Sequence, residues 1–176
     1  MGDLETIFAR RSIRDYTDQK VEREKIEKLL KAGMAAPSAR NEQPWHFVVI
    51  DEGQTLTEIP KFHAYSKMLK EASAAIVVCG DIDLLPEERG SEVGRGYLAQ
   101  DCSAATENIL LAAQALGLGA VWLGVYPVHK RMDGLRDLLD LPENIVPFSI
   151  VSLGYPAEEK PPNDRYEEDR VHWNDF

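Results

Sequence analysis

The chain has 176 residues and a mass of 19.8 kDa, the usual size of a single domain. Its 20 Lys and Arg against 30 Asp and Glu give a net charge of −10, which disfavours nucleic acids and anionic membranes as partners. With 44% hydrophobic residues, the chain can bury a sizeable core and is not compositionally disordered. Two cysteines, Cys79 and Cys102, are too few for a disulfide scaffold, so we expect a protein of the reducing cytoplasm.

Hydrophobic periodicity predicts helices alternating with strands. Helices are expected near residues 4–10, 22–34, 97–116 and 128–139, and strands at residues 45–50, 74–79, 120–125 and 145–153. Residues 54–71 are expected to be helical in pieces, and the acidic stretch from Asp81 to Glu92 is expected to be a solvated excursion. The continuously apolar run 74–79 is typical of a strand buried on both faces. This alternation indicates a sheet flanked by helices.

One uncharged run, from Ile109 to Tyr126, has the length of a membrane span. Gly117, Gly119 and Gly124 interrupt it. A helix that ends at Gly117, followed by a buried strand, is the better interpretation.

Arg10, Arg11, Ser12 and Arg14 place three guanidinium groups and a hydroxyl within five residues of an acidic chain. Guanidinium groups match phosphate oxygens in two-point geometry. The segment therefore predicts an anion pocket sized for one phosphate. A solvated basic patch paired with surface carboxylates is an equally good interpretation of these four residues.

A polar loop joins the second predicted helix to the first predicted strand. Its residues are Pro37, Ser38, Ala39, Arg40, Asn41, Glu42, Gln43 and Pro44. Two prolines stiffen the loop, and its side chains could bind the edge of a heterocycle, although for the loop taken alone a simple helix-to-strand connection is the better interpretation. Farther along, Leu123 and Gly124 end a buried strand, where a ligand could contact the backbone or where the glycine could simply mark a bend.

Side-chain catalysts are not evident. The four histidines are scattered, with no HExxH or Cys/His spacing for a metal, and no GxSxG nucleophile is present. Anion-binding and ring-binding groups without a catalytic acid, base or metal indicate chemistry supplied by a cofactor.

Taken together, these segments resemble the nitroreductase family of FMN-dependent oxidoreductases. The matching segments are residues 10–14, 37–47, 117–122 and 154–156. The resemblance implies an α+β fold with a central mixed sheet flanked by helices, in an intertwined homodimer. It further implies a single FMN-binding domain over residues 1–176, in which residues 154–176 form a tail that wraps the partner subunit.

The resemblance also assigns site residues, none of them a catalytic acid or base. Residues 10–14 would bind the FMN phosphate and the ring or ribityl chain, and the loop 37–43 would bind the FMN of the other subunit. Leu123 and Gly124 would face the flavin ring, with Lys67 at its edge, while tail residues bind the phosphate. The implied cofactor-binding residues are Arg10, Arg11, Ser12, Arg14, Pro37, Ser38, Ala39, Arg40, Asn41, Gln43, Lys67, Leu123, Gly124, Lys160 and Arg165.

The activity implied is hydride transfer from NAD(P)H, through N5 of the flavin, to nitroaromatic, quinone or similar small acceptors with ping-pong kinetics. Two alternatives stay open: a specialised flavin reduction such as reductive dehalogenation, and a non-enzymatic flavin-binding dimer. No metal, nucleic acid or membrane is expected as a partner.

Overall fold

A computed structural model describes residues 3–85, 91–162 and 164–176. The helices are α1 (Asp3–Ala9), α2 (Arg23–Met34), α3 (Gly53–Glu58), α4 (Glu92–Ala115) and α5 (His129–Leu139). The strands are β1 (Trp45–Ile50), β2 (Ala74–Asp81), β3 (Gly119–Gly124) and β4 (Ile145–Gly154). Short 3-10 turns occupy Ala39–Asn41, Ile59–Lys61, Lys67–Lys70, Ile82–Leu84 and Glu168–Arg170.

The four strands form one sheet in the order β1-β2-β4-β3, and every neighbouring pair is antiparallel. Parallel pairing is limited, among the described residues, to an isolated bridge between Ser12 and Ala120. The expected α+β architecture is confirmed, with the qualification that the sheet is mixed only through this bridge. Ser12 pairs with the edge strand β3, and β3 pairs with β4, so the segment that carries the N-terminal arginines lies close to the strand leading into the tail.

Side chains along each strand alternate in direction, so both faces of the sheet carry apolar residues. Helices cover both of these faces. The core on the α2 and α4 side includes Leu29, Ile76, Val78 and Ile109, and the core on the α3 and α5 side includes Leu56, Val77, Cys79 and Leu135. Residues 74–80 of β2 are all buried, as the apolar run predicted.

The longest helix, α4, has 24 residues and begins five residues before its predicted start. Ser91 caps it, its hydroxyl accepting a hydrogen bond from the Gly94 amide at 3.0 Å. The helix ends before Gly117, whose φ of +72° suits glycine. Within the described ranges, none of the helices combines the length and hydropathy needed to cross a membrane.

The structure describes the predicted acidic excursion in part and the predicted tail almost completely. Of the acidic excursion predicted between Asp81 and Glu92, residues 86–90 lie outside the described residues. Among its described residues, the tail after β4 first contacts the N-terminal segment, with a bridge between Pro156 and Tyr16, and later forms the 3-10 turn Glu168–Arg170, and its last aromatic side chains are exposed.

Candidate functional site

The arginine-rich segment 10–14 is fixed along the edge of β3. The Ile13 amide donates to the Ala120 carbonyl at 2.9 Å, next to the bridge formed by Ser12. Ile13 is buried against Gly119, where a Cβ would lie 2.7 Å from the isoleucine Cγ2. This close packing holds the flanking arginine side chains at a defined place on the surface.

These arginines line a cavity of about 480 Å³, which we call the basic cavity. Its lining residues are Ile7, Phe8, Arg10, Arg11, Ser12, Arg14, Lys160 and Arg165. Five of them are cationic and none is acidic, so the cavity favours an anion. The cavity is compatible with the anion-pocket interpretation, and the ligand that it binds stays a prediction.

The tail is bound to this segment by a small hydrogen-bond network. The Lys160 ammonium donates to the Ser12 carbonyl and to Glu158 Oε1, both at 2.8 Å. The same Glu158 oxygen accepts from the Arg14 amide at 2.7 Å, and its hydrogen bond with Lys160 is the main cause of a lowered Glu158 pKa. Residues separated by almost the whole chain thus meet in one pocket.

A second cavity, of about 670 Å³, adjoins the first at Arg14, which lines both. We call it the ring cavity. Its lining residues are Arg14, His63, Ala64, Tyr65, Lys67, Met68, Trp122, Leu123, Gly124 and Arg131. A Cβ built on Gly124 would have no heavy atom within 4 Å, so a flat ligand could lie directly against the backbone there.

The loop 37–43 is held by a buried carboxylate. The Ala39 amide donates to Asp101 Oδ1 at 2.9 Å, and burial raises the pKa of this carboxyl. Left-handed φ angles occur at Arg40 (54°), Asn41 (59°) and Gln43 (51°). Consecutive non-glycine residues in this region are strained and persist only where surrounding contacts fix them.

In one subunit, this loop does not join the other candidate residues. Ala39 and Arg40 line a separate cavity of about 280 Å³ beside Asp101 and Tyr97. None of the residues predicted in the loop lines the basic cavity or the ring cavity. The other predicted residues do come together there: Arg10, Arg11, Ser12, Arg14, Lys160 and Arg165 in the basic cavity, and Arg14, Lys67, Leu123 and Gly124 in the ring cavity.

The sequence analysis missed two polar residues of the ring cavity, His63 and Arg131. Both bind the Gly124 carbonyl oxygen, His63 through Nε2 at 3.0 Å and Arg131 through Nη1 at 2.7 Å. Burial, reinforced by the Arg131 charge, lowers the His63 pKa. The available signal was Arg131 itself, since a cation in the first turn of a helix opposes the helix dipole.

In the part of the chain that the structure describes, no three His, Cys, Asp or Glu residues are grouped as metal ligands. Cys79 and Cys102 are buried free thiols whose pKa values are raised by desolvation.

The model of the nitroreductase family matches residues 7–63 and 61–155. A protein of Archaeoglobus fulgidus with the provisional name NADH dehydrogenase/NAD(P)H nitroreductase is 54% identical over 172 residues, which are 96% of this chain and 95% of that protein. The chain belongs to the nitroreductase family.

Solved structures agree with this assignment. A protein of the same provisional name from Bacteroides thetaiotaomicron has 43% identity and a TM-score of 0.91, with 100% of both chains covered. A nitroreductase, again provisionally named, from Desulfovibrio desulfuricans was solved in complex with FMN and has 30% identity, a TM-score of 0.82 and coverage of 100% and 98%. An NADPH:FMN oxidoreductase from Vibrio harveyi, complexed with NAD+, has 27% identity, a TM-score of 0.87 and coverage of 99% and 77%.

Proposed function

We propose that this chain is an FMN-dependent NAD(P)H oxidoreductase that acts as a homodimer on small electron acceptors such as nitroaromatics or quinones. The observation that carries the proposal is the pair of adjoining cavities, one lined by five cationic and no acidic side chains and the other open to the backbone at Gly124. Family membership and a relative solved with FMN support the same ligand.

The residues present fit FMN. Arg10, Arg11, Lys160 and Arg165 would neutralise the phosphate dianion by charge-assisted hydrogen bonds. Arg14 lies where the basic cavity meets the ring cavity, so it would bind between phosphate and ring. At the far end, the open face of Gly124 would receive the flat ring.

FMN supplies the redox chemistry when bound, since N5 of its ring accepts and returns a hydride. The protein would hold the FMN ring in one orientation and exclude other orientations of the ring. Arg14 and Lys67 line the ring cavity and would favour negative charge on the ring. We propose that NAD(P)H and the acceptor occupy one open site in turn, which gives ping-pong kinetics.

A second subunit completes the proposed site. Helix α1 exposes Leu4, Ile7 and Phe8 on one face, and the tail exposes Trp173 to 83%. Exposed apolar groups of this size mark interaction surfaces. We propose that α1 and the tail form the dimer interface and that the strained loop 37–43 of each subunit binds the FMN of the other.

The test is flavin uptake and reduction by the purified full-length chain in the absence of air. We expect bound FMN to bleach on addition of NADH or NADPH and to recover its colour with a nitroaromatic or a quinone. A chain that takes up no FMN contradicts the proposal. Flavin that binds but is never reduced favours a non-enzymatic dimer, and recovery only with a halogenated aromatic favours reductive dehalogenation.

A further inference from the structure

The Gly124 carbonyl, at the end of β3, accepts hydrogen bonds from two separate elements. His63 lies between the 3-10 turns Ile59–Lys61 and Lys67–Lys70, and Arg131 lies in the first turn of α5. Their donor atoms are 3.0 Å and 2.7 Å from the carbonyl oxygen. Two donors from different elements leave this peptide group little freedom to rotate.

The protonation state of His63 follows from its burial. His63 is only 1% exposed, and its Nδ1 has no hydrogen-bond partner among the described residues. Since a carbonyl oxygen can only accept, Nε2 must carry the proton. A second proton on Nδ1 would be buried without an acceptor, so the ring is held neutral in one tautomer.

Arg131 places a positive charge where the dipole of α5 disfavours it. A cation in the first turn of a helix is repelled by the helix dipole. Arg131 is compensated there by the Gly124 carbonyl and by the Tyr65 ring, whose centroid is 5.6 Å from the guanidinium carbon. The Arg131 guanidinium therefore contacts the wall of the ring cavity and not the N-terminal end of α5.

We propose that His63 and Arg131 are positioning residues that fix the Gly124 peptide as a rigid platform for the flavin ring, with the Arg131 charge favouring the reduced ring. This inference rests on the proposed function. Hydride transfer to the neutral ring adds one proton and two electrons, so the ring gains one negative charge. A cation beside the platform stabilises that negative charge. Its hydrogen bond also engages the lone pairs of the Gly124 carbonyl oxygen, so that they repel the negatively charged ring less.

The first experiment measures the midpoint potential of bound FMN in the full-length protein. Arg131→Gln removes the charge and keeps a polar side chain, and we expect it to weaken the preference for reduced over oxidised FMN by about tenfold, which is about 30 mV for a two-electron couple. Arg131→Lys keeps the charge and should retain most of the wild-type potential. Lys130→Gln, an exposed neighbour in the same turn, is the matched control and should leave the potential unchanged.

The outcomes separate the two proposals. A protein that binds no FMN contradicts the proposed function. FMN that binds with the same potential in wild type and Arg131→Gln, or with equal shifts in Arg131→Gln and Lys130→Gln, overturns the role of the Arg131 charge. An Arg131→Lys variant as low in potential as Arg131→Gln overturns it as well.

A second measurement needs neither a variant nor FMN. Nitrogen NMR of the imidazole in the wild-type chain should find His63 neutral, with the proton on Nε2, at pH 7. A proton on Nδ1 or a doubly protonated ring would contradict the proposed platform. The measurement thus tests the histidine even if a variant fails to fold.

Discussion

The basic cavity depends on a few cationic side chains whose charges are only partly compensated by the protein itself. Arg10 is the clearest example: its Nε lies 3.4 Å from Glu107 Oε1, and both side chains are partly exposed. An ion pair of this length near solvent contributes little to stability. Arg10 is therefore available to a phosphate, which offers a closer and more highly charged partner.

We expect Arg10→Ala to weaken FMN binding by about 5- to 150-fold, equivalent to about 1–3 kcal/mol, because one charge-assisted hydrogen-bonding group is lost. Fluorescence titration of FMN at fixed ionic strength measures this change. Arg23→Ala is the matched control, since it removes the same charge from the exposed surface of α2, where Arg23 pairs with Glu27. Equal affinities of the two variants would contradict the phosphate assignment.

Among the elements, β2 and α4 pack closely against each other at Gly80. At Gly80, a Cβ would lie 2.6 Å from Cγ and from Cδ1 of Leu98, a side chain that is itself buried. The close approach of helix and strand therefore requires glycine. Since Leu98 cannot move outward without losing its own packing, added volume here must displace the helix.

Gly80→Ala should destabilise the fold by about 1–3 kcal/mol through overpacking, without any direct contact with the candidate site. Denaturant unfolding followed by circular dichroism provides the measurement. Gly53→Ala, at an exposed position with no atom within 4 Å of the added Cβ, should change stability by less than about 0.5 kcal/mol. A Gly80→Ala protein as stable as wild type would mean that this contact is looser than the structure indicates.

The sequence predicted these elements well because each depends on contacts between near neighbours. The apolar run of β2 gave its strand, and the spacing of apolar residues gave α2 and α5 to within a residue or two. The start of α4 was placed too late, since Gly94 and Gly96 are poor helix formers and the cap at Ser91 was not recognised. The cap and the packing of α4 on the sheet outweigh that low local propensity.

For the whole molecule, the tail is the part whose structure one subunit does not explain. It is fixed at its beginning by Lys160 but then leaves Trp173 and Phe176 exposed. Aromatic side chains of this size are usually buried in an interface or a core. A tail that wraps a second subunit would bury them, beyond the point where Arg165 already lines the basic cavity of its own subunit.

Removal of residues 164–176 should weaken both dimerisation and FMN binding, because it removes the exposed aromatics together with Arg165. Light scattering gives the oligomeric state, and FMN titration gives the affinity. The full-length Arg165→Ala variant separates the two effects, as it should lose FMN affinity but remain a dimer. A truncated chain that is still a flavin-bound dimer would contradict the wrapping role.

The sequence alone determined the helices, the strands and the cationic segment 10–14, because these follow from residues adjacent in the chain. Only the tertiary structure decided that His63 and Arg131 meet at Gly124, whereas the cavity shared by Lys160, Arg165 and that segment is one that the family resemblance implied. The physical reason is the strand order, since pairing β3 with β4 brings distant segments close together. No local periodicity encodes which strands become neighbours, so the site could be recognised in parts but not assembled from the sequence.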